Sequence, residues 1–253
     1  MSYITLTPDT LEREHICCAI SDKKCVDGVA AKKQWLAGLY EQGYRFRRLD
    51  DRGKVFIEYG PGEAAWMPVA AEGWMMMGCF WVSGKFAKSG HGKALLASAM
   101  KNAAVQGRAG LVAVVGTKKM HFMSDGKWLL KQGFREVDRL DYGFSLLVKD
   151  LDGSTAPEPR FLDGCRGGGC GDEAGISVYY SDRCPFAEFH VTTSLKESCE
   201  KRGLALNVHK LDSLEAARAA PSPATIFSLF KDGRFVTTDL SACMDSRFDK
   251  VVP

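Results

Sequence analysis

The chain is predicted to be an α/β protein of two units: a mixed-sheet unit over residues 1–150 and a smaller α/β unit over residues 175–253. Three observations predict this. Helix-like and strand-like apolar periods alternate through the first 150 residues. Residues 151–174 are rich in Gly and Pro and lack apolar periodicity, as a linker does. A fresh strand–helix–strand pattern then opens at Ile176. The chain has 253 residues, 45% hydrophobic and 26% charged, which suits a soluble globular protein of one large or two modest domains. Net charge is +3 and no Lys/Arg-dense segment stands out, which argues against a nucleic acid partner. No run of about 18 apolar residues suggests a membrane span. Met1-Ser2-Tyr3-Ile4-Thr5 does not read as a signal peptide. Nine cysteines without an export signal point to a reducing, cytoplasmic compartment, where they serve as thiols, metal ligands or redox groups rather than structural disulfides.

The elements follow in order. Ile4 to Thr7 reads as a short strand. Lys32 to Tyr40 places Trp35, Leu36, Leu39 and Tyr40 on one helical face. Arg45 to Leu49 and Val55 to Tyr59 flank Asp50-Asp51-Arg52-Gly53, a hairpin signal. A long apolar strand runs from Trp74 to Val82. Lys93 to Val105 is a helix with Leu96, Ala99, Met100 and Ala103 inward. Leu111 to Val115 is a continuous apolar strand, the pattern of a strand covered on both faces. Ser124 is placed to cap a helix over Asp125 to Gln132, and Gly133 to end it. Glu136 to Arg139 and Phe144 to Val148 close the unit. In the second unit, Ile176 to Tyr180, a helix from Cys184-Pro185 to about Arg202, Leu204 to Leu211, Thr225 to Phe230 and Arg234 to Thr237 make a β-α-β order followed by a hairpin.

The stretch from Trp74 to Gln106 is the most informative. A strand leads into Ala87-Lys88-Ser89-Gly90-His91-Gly92 and then a helix. The N–H groups at a helix start have no intrahelical partner and carry the positive end of the dipole, so they bind phosphate. Glycine lets the backbone approach the anion, and Lys88 and Lys93 add charge. The turn therefore reads as a pyrophosphate cradle. The alternative is an ordinary glycine turn before a core helix.

Gly90-x-Gly92 after a strand resembles the acetyl-CoA loop of the GNAT N-acetyltransferases. One departure is Ala87, where Arg or Gln is usual. The element order and Leu129-Leu130-Lys131-Gln132-Gly133-Phe134 resemble the same family. His15-Ile16-Cys17-Cys18 through Cys25, Arg52 to Tyr59 and Cys79 to Gly84 are similar to the YoaP-like acetyltransferases, which join a GNAT domain to a small C-terminal domain. The resemblance implies a GNAT mixed-sheet acyltransferase domain plus a small thioredoxin-like α/β domain. It also implies that acetyl-CoA is co-substrate and that a small-molecule or peptide amine is acceptor.

Family spacing puts the backbone N–H that polarises the thioester carbonyl at Phe80. It puts the pairing with the pantetheine arm at Val82. Ala87, Lys88, Gly90, His91, Gly92 and Lys93 form the phosphate turn, with His91 expected to be exposed near CoA. The position where the family often carries an acidic tyrosine is Leu129, beside Trp128. Tyr142 is the nearest substitute, weighed against a structural role. Glu58 and Glu72 are candidate bases, weighed against solvated carboxylates. Cys79 is a possible second nucleophile or a packing residue. In the thioredoxin-like reading Cys184 sits at the redox-active position and Pro223 near the characteristic proline. Cys184-Pro185-Phe186-Ala187 lacks the second cysteine of that motif. Cys17, Cys18 and Cys25 with His15 could bind a soft metal or arsenical, or be buried thiols. No metal cofactor is expected. Cys165 and Cys170 could pair or capture a thiophilic ion in a flexible linker. The rival function is an acyl-CoA-binding, thiol-responsive module without turnover. Few contacts are expected to cross residues 151–174, so residues 1–150 should fold alone.

Overall fold

The computed structural model describes all residues except 1, 17, 18, 152, 154, 172 and 173. The chain runs through β1 (Tyr3–Thr5), α1 (Pro8–Leu11), α2 (Val26–Tyr40), β2 (Arg45–Leu49), β3 (Val55–Pro61), β4 (Val69–Ala70) and β5 (Met75–Val82). It continues through α3 (His91–Val105), β6 (Gly110–Gly116), α4 (Gly126–Lys131), β7 (Arg135–Leu140) and β8 (Phe144–Asp150). Seven strands form one mixed sheet in the order β1-β2-β3-β5-β6-β8-β7. The apolar run of β6 is covered on both faces, as its sequence predicts. Leu111, Ala113 and Val115 meet Leu95, Leu96, Ala99 and Ala103 of α3, while Val112 and Val114 face the other way. A separate cluster seats Leu36 and Leu39 of α2 on Phe46 and Phe56.

Two details of β5 set up the site. It pairs with β6 in parallel only at Met75↔Leu111 and Met76↔Val112, so the two strands part beyond Met76. It also carries a bulge against β3, where Ile57↔Phe80 and Tyr59↔Met77 leave Gly78 and Cys79 opposite Glu58. An extra residue of this kind re-aims the strand locally. The cap of α4 differs from the sequence reading: Asp125, not Ser124, accepts from the Trp128 N–H at 3.1 Å.

The segment after β8 is no free tether. β9 (Arg160–Phe161) pairs with β4, and Phe161 and Cys165 are fully buried against Trp74, Val112, Phe144 and Leu146. Two apolar side chains inside a Gly/Pro-rich stretch give no period to read, yet burying Phe161 alone contributes on the order of 1.5–3 kcal/mol. β10 (Ile176–Tyr180) then leads through α5 (Ala187–Phe189), a π-helical segment and α6 (Lys196–Arg202) to β11 (Leu206–Lys210). α7 (Leu214–Arg218), β12 (Phe227–Lys231), β13 (Arg234–Thr237) and α8 (Asp245–Val251) follow. These strands form a sheet in the order β11-β10-β12-β13, with β10 parallel to β11 and the other pairs antiparallel. No peptide bond is cis among the described residues, Ser222–Pro223 included.

The two units pack together at several points, which corrects the expectation of few crossing contacts. Arg183 Nη1 donates to the Trp66 carbonyl at 3.2 Å, Thr238 Oγ1 donates to the His121 carbonyl at 2.7 Å, and Arg218 meets Glu72 at 3.3 Å. Gly28 lies directly against the Pro185 carbonyl: a Cβ there would stand 2.1 Å from that oxygen. No helix among the described residues is long and apolar enough to cross a membrane.

Candidate functional site

The turn before α3 has the local form its sequence predicts. Gly90 is the N-cap residue at φ +82, a left-handed conformation that glycine adopts without strain, and Lys88 is also left-handed at φ +63. No side chain caps α3 and no acidic residue stands in its first turn. A Cβ on Gly90 would have nothing within 4 Å, so open space lies over the helix start. Ala87, Lys88, Gly90 and Lys93 are exposed around it. His91 differs from expectation. It is 2% exposed, its Nδ1 lies 2.7 Å from the Tyr3 hydroxyl, and its ring meets Tyr3 and Phe86 edge-on. Tyr3 from the distant N-terminal strand and Phe86 from five residues before cover it, which its place in a polar turn did not disclose.

Phe80 and Val82 pack against the α3-side cluster. Trp128, the second residue beyond Gly126 on α4, lies across both the strand and the turn. Its ring stands 5.4 Å from that of Phe80, and a Cβ on Gly92 would meet it at 3.2 Å. Gly92 thus lets α3 approach the indole closely, and a methyl group there would press on the ring. Leu129 is fully buried beneath.

On the other side of β5 the bulge faces a buried polar group. Glu58 is wholly buried, forms an ion pair with Lys32 of α2, and accepts from the Tyr44 hydroxyl at 3.1 Å. Glu58 is therefore not a solvated carboxylate. Burial and the Glu58 charge hold the Tyr44 hydroxyl well above the ordinary tyrosine range. Cys79 packs beside this group against the α2-side cluster. Gly78 is needed there, since a Cβ would stand 2.4 Å from the Tyr44 hydroxyl oxygen. Lys32 and Tyr44 carry no site role in the sequence reading, and Trp35 appears there only as part of a helical face. Lys32 alone carried a signal, as a lysine in register with the apolar face of its helix.

Other candidate residues lie apart from this group. Tyr142 packs on the opposite sheet face, with its ring against Phe144 and Phe235 and its hydroxyl donating to the Cys165 carbonyl at 2.5 Å. Burial pushes its pKa far up. Glu72 is exposed beside Arg218. Cys184 is 6% exposed in the core of the second unit. Burial raises Cys199 to about 11 and Cys243 further. Cys165 is buried and raised to about 11, and Cys170 is half-buried. Cys25 is buried and raised to about 11 by burial and Asp22. Cys17 and Cys18 lie outside the described residues. Among the described residues no group of three His, Cys, Asp or Glu is placed to hold a metal ion.

Residues 205–250 match a family model described as YoaP-like. A Bacillus subtilis (strain 168) protein described as an uncharacterized N-acetyltransferase, YoaP, is 37% identical over 252 residues, spanning 100% of this chain and 98% of its own. Among solved structures, a ribosomal-protein-alanine N-acetyltransferase from Brucella melitensis is similar with a TM-score of 0.42 at 16% identity, over 60% of this chain and 100% of that one. A PaiA N-acetyltransferase from Thermoplasma acidophilum in complex with coenzyme A is similar with a TM-score of 0.36 at 18% identity, over 60% of this chain and 100% of its own. Likeness at that distance decides nothing about this chain.

Proposed function

The chain belongs to the YoaP family of N-acetyltransferases, and from that premise we propose that it moves an acetyl group from acetyl-CoA to the amine of a small molecule or peptide. The pyrophosphate sits on the N–H groups at the start of α3, between Lys88 and Lys93, and the pantetheine arm runs along β5 past Val82. The thioester lies at Phe80, whose backbone N–H stabilises the charge that develops on the carbonyl oxygen. The amine attacks the carbonyl carbon, the C–N bond forms and the C–S bond breaks. The amine proton passes over the Tyr44 hydroxyl to Glu58, and the CoA thiolate takes its proton from solvent. Cys79 flanks this point. Trp128 covers the acyl arm from the α4 side. The second unit keeps a thioredoxin-like arrangement in which Cys184 is its functional thiol. The compartment is a reducing one, the cytoplasm.

The observation that carries this reading is the uncapped start of α3 under an exposed left-handed glycine, beside the point where β5 and β6 part. Gly90→Asp puts a carboxylate where the pyrophosphate would sit, so calorimetry should show acetyl-CoA binding abolished. Unchanged affinity would refute the cradle. Release of CoA thiol with a panel of amines then reads the transfer itself.

A further inference from the structure

Three buried hydrogen-bond donors around one cavity have no acceptor. Trp35 Nε1, Trp66 Nε1 and Arg183 Nε are buried and make no hydrogen bond among the described residues. All three side chains line the same cavity, with Tyr44, Met77 and Gly78. Arg183 is 4% exposed. Its Nη1 is tied to the Trp66 carbonyl at 3.2 Å and to Thr225 Oγ1 at 2.8 Å. That leaves the Nε–Nη2 edge, the side of a guanidinium that takes a carboxylate with two parallel bonds. No carboxylate of the described residues pairs with it. The neighbouring Glu58 is already engaged by Lys32 and Tyr44.

A buried cation without a counter-ion and two buried indole N–H groups without acceptors are costly when empty. Together they present four donor positions and no acceptor. A water molecule would use only part of this set, whereas a carboxylate, with about four lone-pair sites, uses all of it. We propose that this cavity binds a carboxylate carried by the acceptor, so that the amine substrate is an amino acid or another small carboxylated amine. The proposal rests on the acetyl-transfer reading above and names its substrate class. Gly78 in the cavity wall is two residues from Phe80, so a carboxylate held by Arg183 puts an adjacent amine beside the thioester and beside Tyr44. The cavity is small, about 10 Å³, so it admits a small polar head group at most and leaves the rest of the acid in the opening beyond it. A wider depression of about 380 Å³ shares Trp35 and Trp66 with it and opens to solvent near Ala31 and Gln34, giving a way in. Arg183 comes from the second unit, which thereby takes part in acceptor recognition without any thiol cycle.

The test has a binding arm and a turnover arm. In the first, N-acetylglycine and N-acetylglycinamide are titrated calorimetrically into the full chain with CoA present. The acid should bind and the amide should bind at least about 100-fold more weakly, because the amide leaves buried donors unmet. Trp35→Phe and Trp66→Phe keep an aromatic ring while removing the N–H, which has no protein partner, along with part of the indole, so some loss of melting temperature is expected. Each should weaken acid binding several-fold while acetyl-CoA affinity and the weak binding of the amide are held. Arg183→Gln should erase the preference for acid over amide. Equal binding of acid and amide, or Phe variants that bind the acid as wild type does, would overturn the proposal whatever the enzyme turns over. In the second arm, phenylalanine, phenylalaninamide and phenethylamine are compared for CoA release. Preference for the amide or the plain amine also overturns it. Loss of acetyl-CoA binding in wild type, with acid binding intact, would instead refute the transfer reading and leave the carboxylate site standing.

Discussion

The start of α3 and the cavity around Tyr44 lie on either side of β5 and are built in opposite ways. The first is one continuous stretch, exposed, with backbone as its working part. The second draws Lys32 and Trp35 from α2, Tyr44 and Glu58 from the next hairpin, Gly78 from β5 and Arg183 from the second unit, and nearly all of it is buried. A site made of backbone tolerates most side-chain changes around it and fails at its glycine. A site made of buried charges is coupled to the stability of the whole chain, because each charge is tolerated only with its partner in place.

The largest expected effect follows from the back of the sheet. Trp74, Val112, Phe144 and Leu146 are covered by Phe161 and Cys165, so residues 1–150 alone should be insoluble or molten, as read by circular dichroism and gel filtration. A well-folded fragment that still binds acetyl-CoA would make the first unit more independent than this packing allows. Next, Lys32→Met strands Glu58 as a buried unpaired carboxylate and should cost about 3–5 kcal/mol in urea unfolding. The Lys32→Met/Glu58→Met pair should be less destabilised than that single variant. At the start of α3, Gly90→Ala meets no neighbour within 4 Å but forces a left-handed residue, about 1–2 kcal/mol. It should weaken acetyl-CoA binding a few-fold where Gly90→Asp abolishes it. Equal loss in both would mean that the turn's conformation, not its open space, carries the binding.

A smaller effect lies in pH. Cys165 and Cys199 are held neutral by burial, raised from 9.0 to about 11. The unfolded chain ionises these thiols first, so their contribution to stability is whole below pH 9 and lost as pH rises from 9 to 11, by at most about 1.4 kcal/mol per pH unit per thiol. Urea midpoints should be flat from pH 7 to 8.5 and fall above 9. In the same range, timed alkylation with peptide mapping should label Cys184 before Cys199 and Cys243, whose ionisation burial opposes. Labelling in the reverse order would make Cys184 a packing residue.

Much of the first unit could be read from its residues because its signals are local. Gly90-His91-Gly92 after an apolar strand needs no distant partner to be recognised, and neither does the two-sided run Leu111 to Val115. The strands of the second unit were legible for the same reason. What stayed hidden was pairing at a distance. His91 reads as a polar turn residue until Tyr3 and Phe86 are seen over it. Phe161 and Cys165 are lone apolar residues in a Gly/Pro-rich stretch, with no period to mark them as core. Glu58 reads as a surface carboxylate until Lys32 and Tyr44 meet it. Arg183, 105 positions after Gly78 in the numbering, has no local signature at all.

Gly28, Lys32 and Trp35 stand at successive turns of one face of α2, and Gly28 is the point where that face rests on the Pro185 carbonyl. The missing methyl group at residue 28 therefore works as a caliper. It sets how near Trp35 comes to Arg183, two residues before Pro185, across the cavity that both side chains line. An alanine at this position would widen the gap by about the thickness of a methyl group, and the chain could trade acceptor size at a residue that never touches the acceptor.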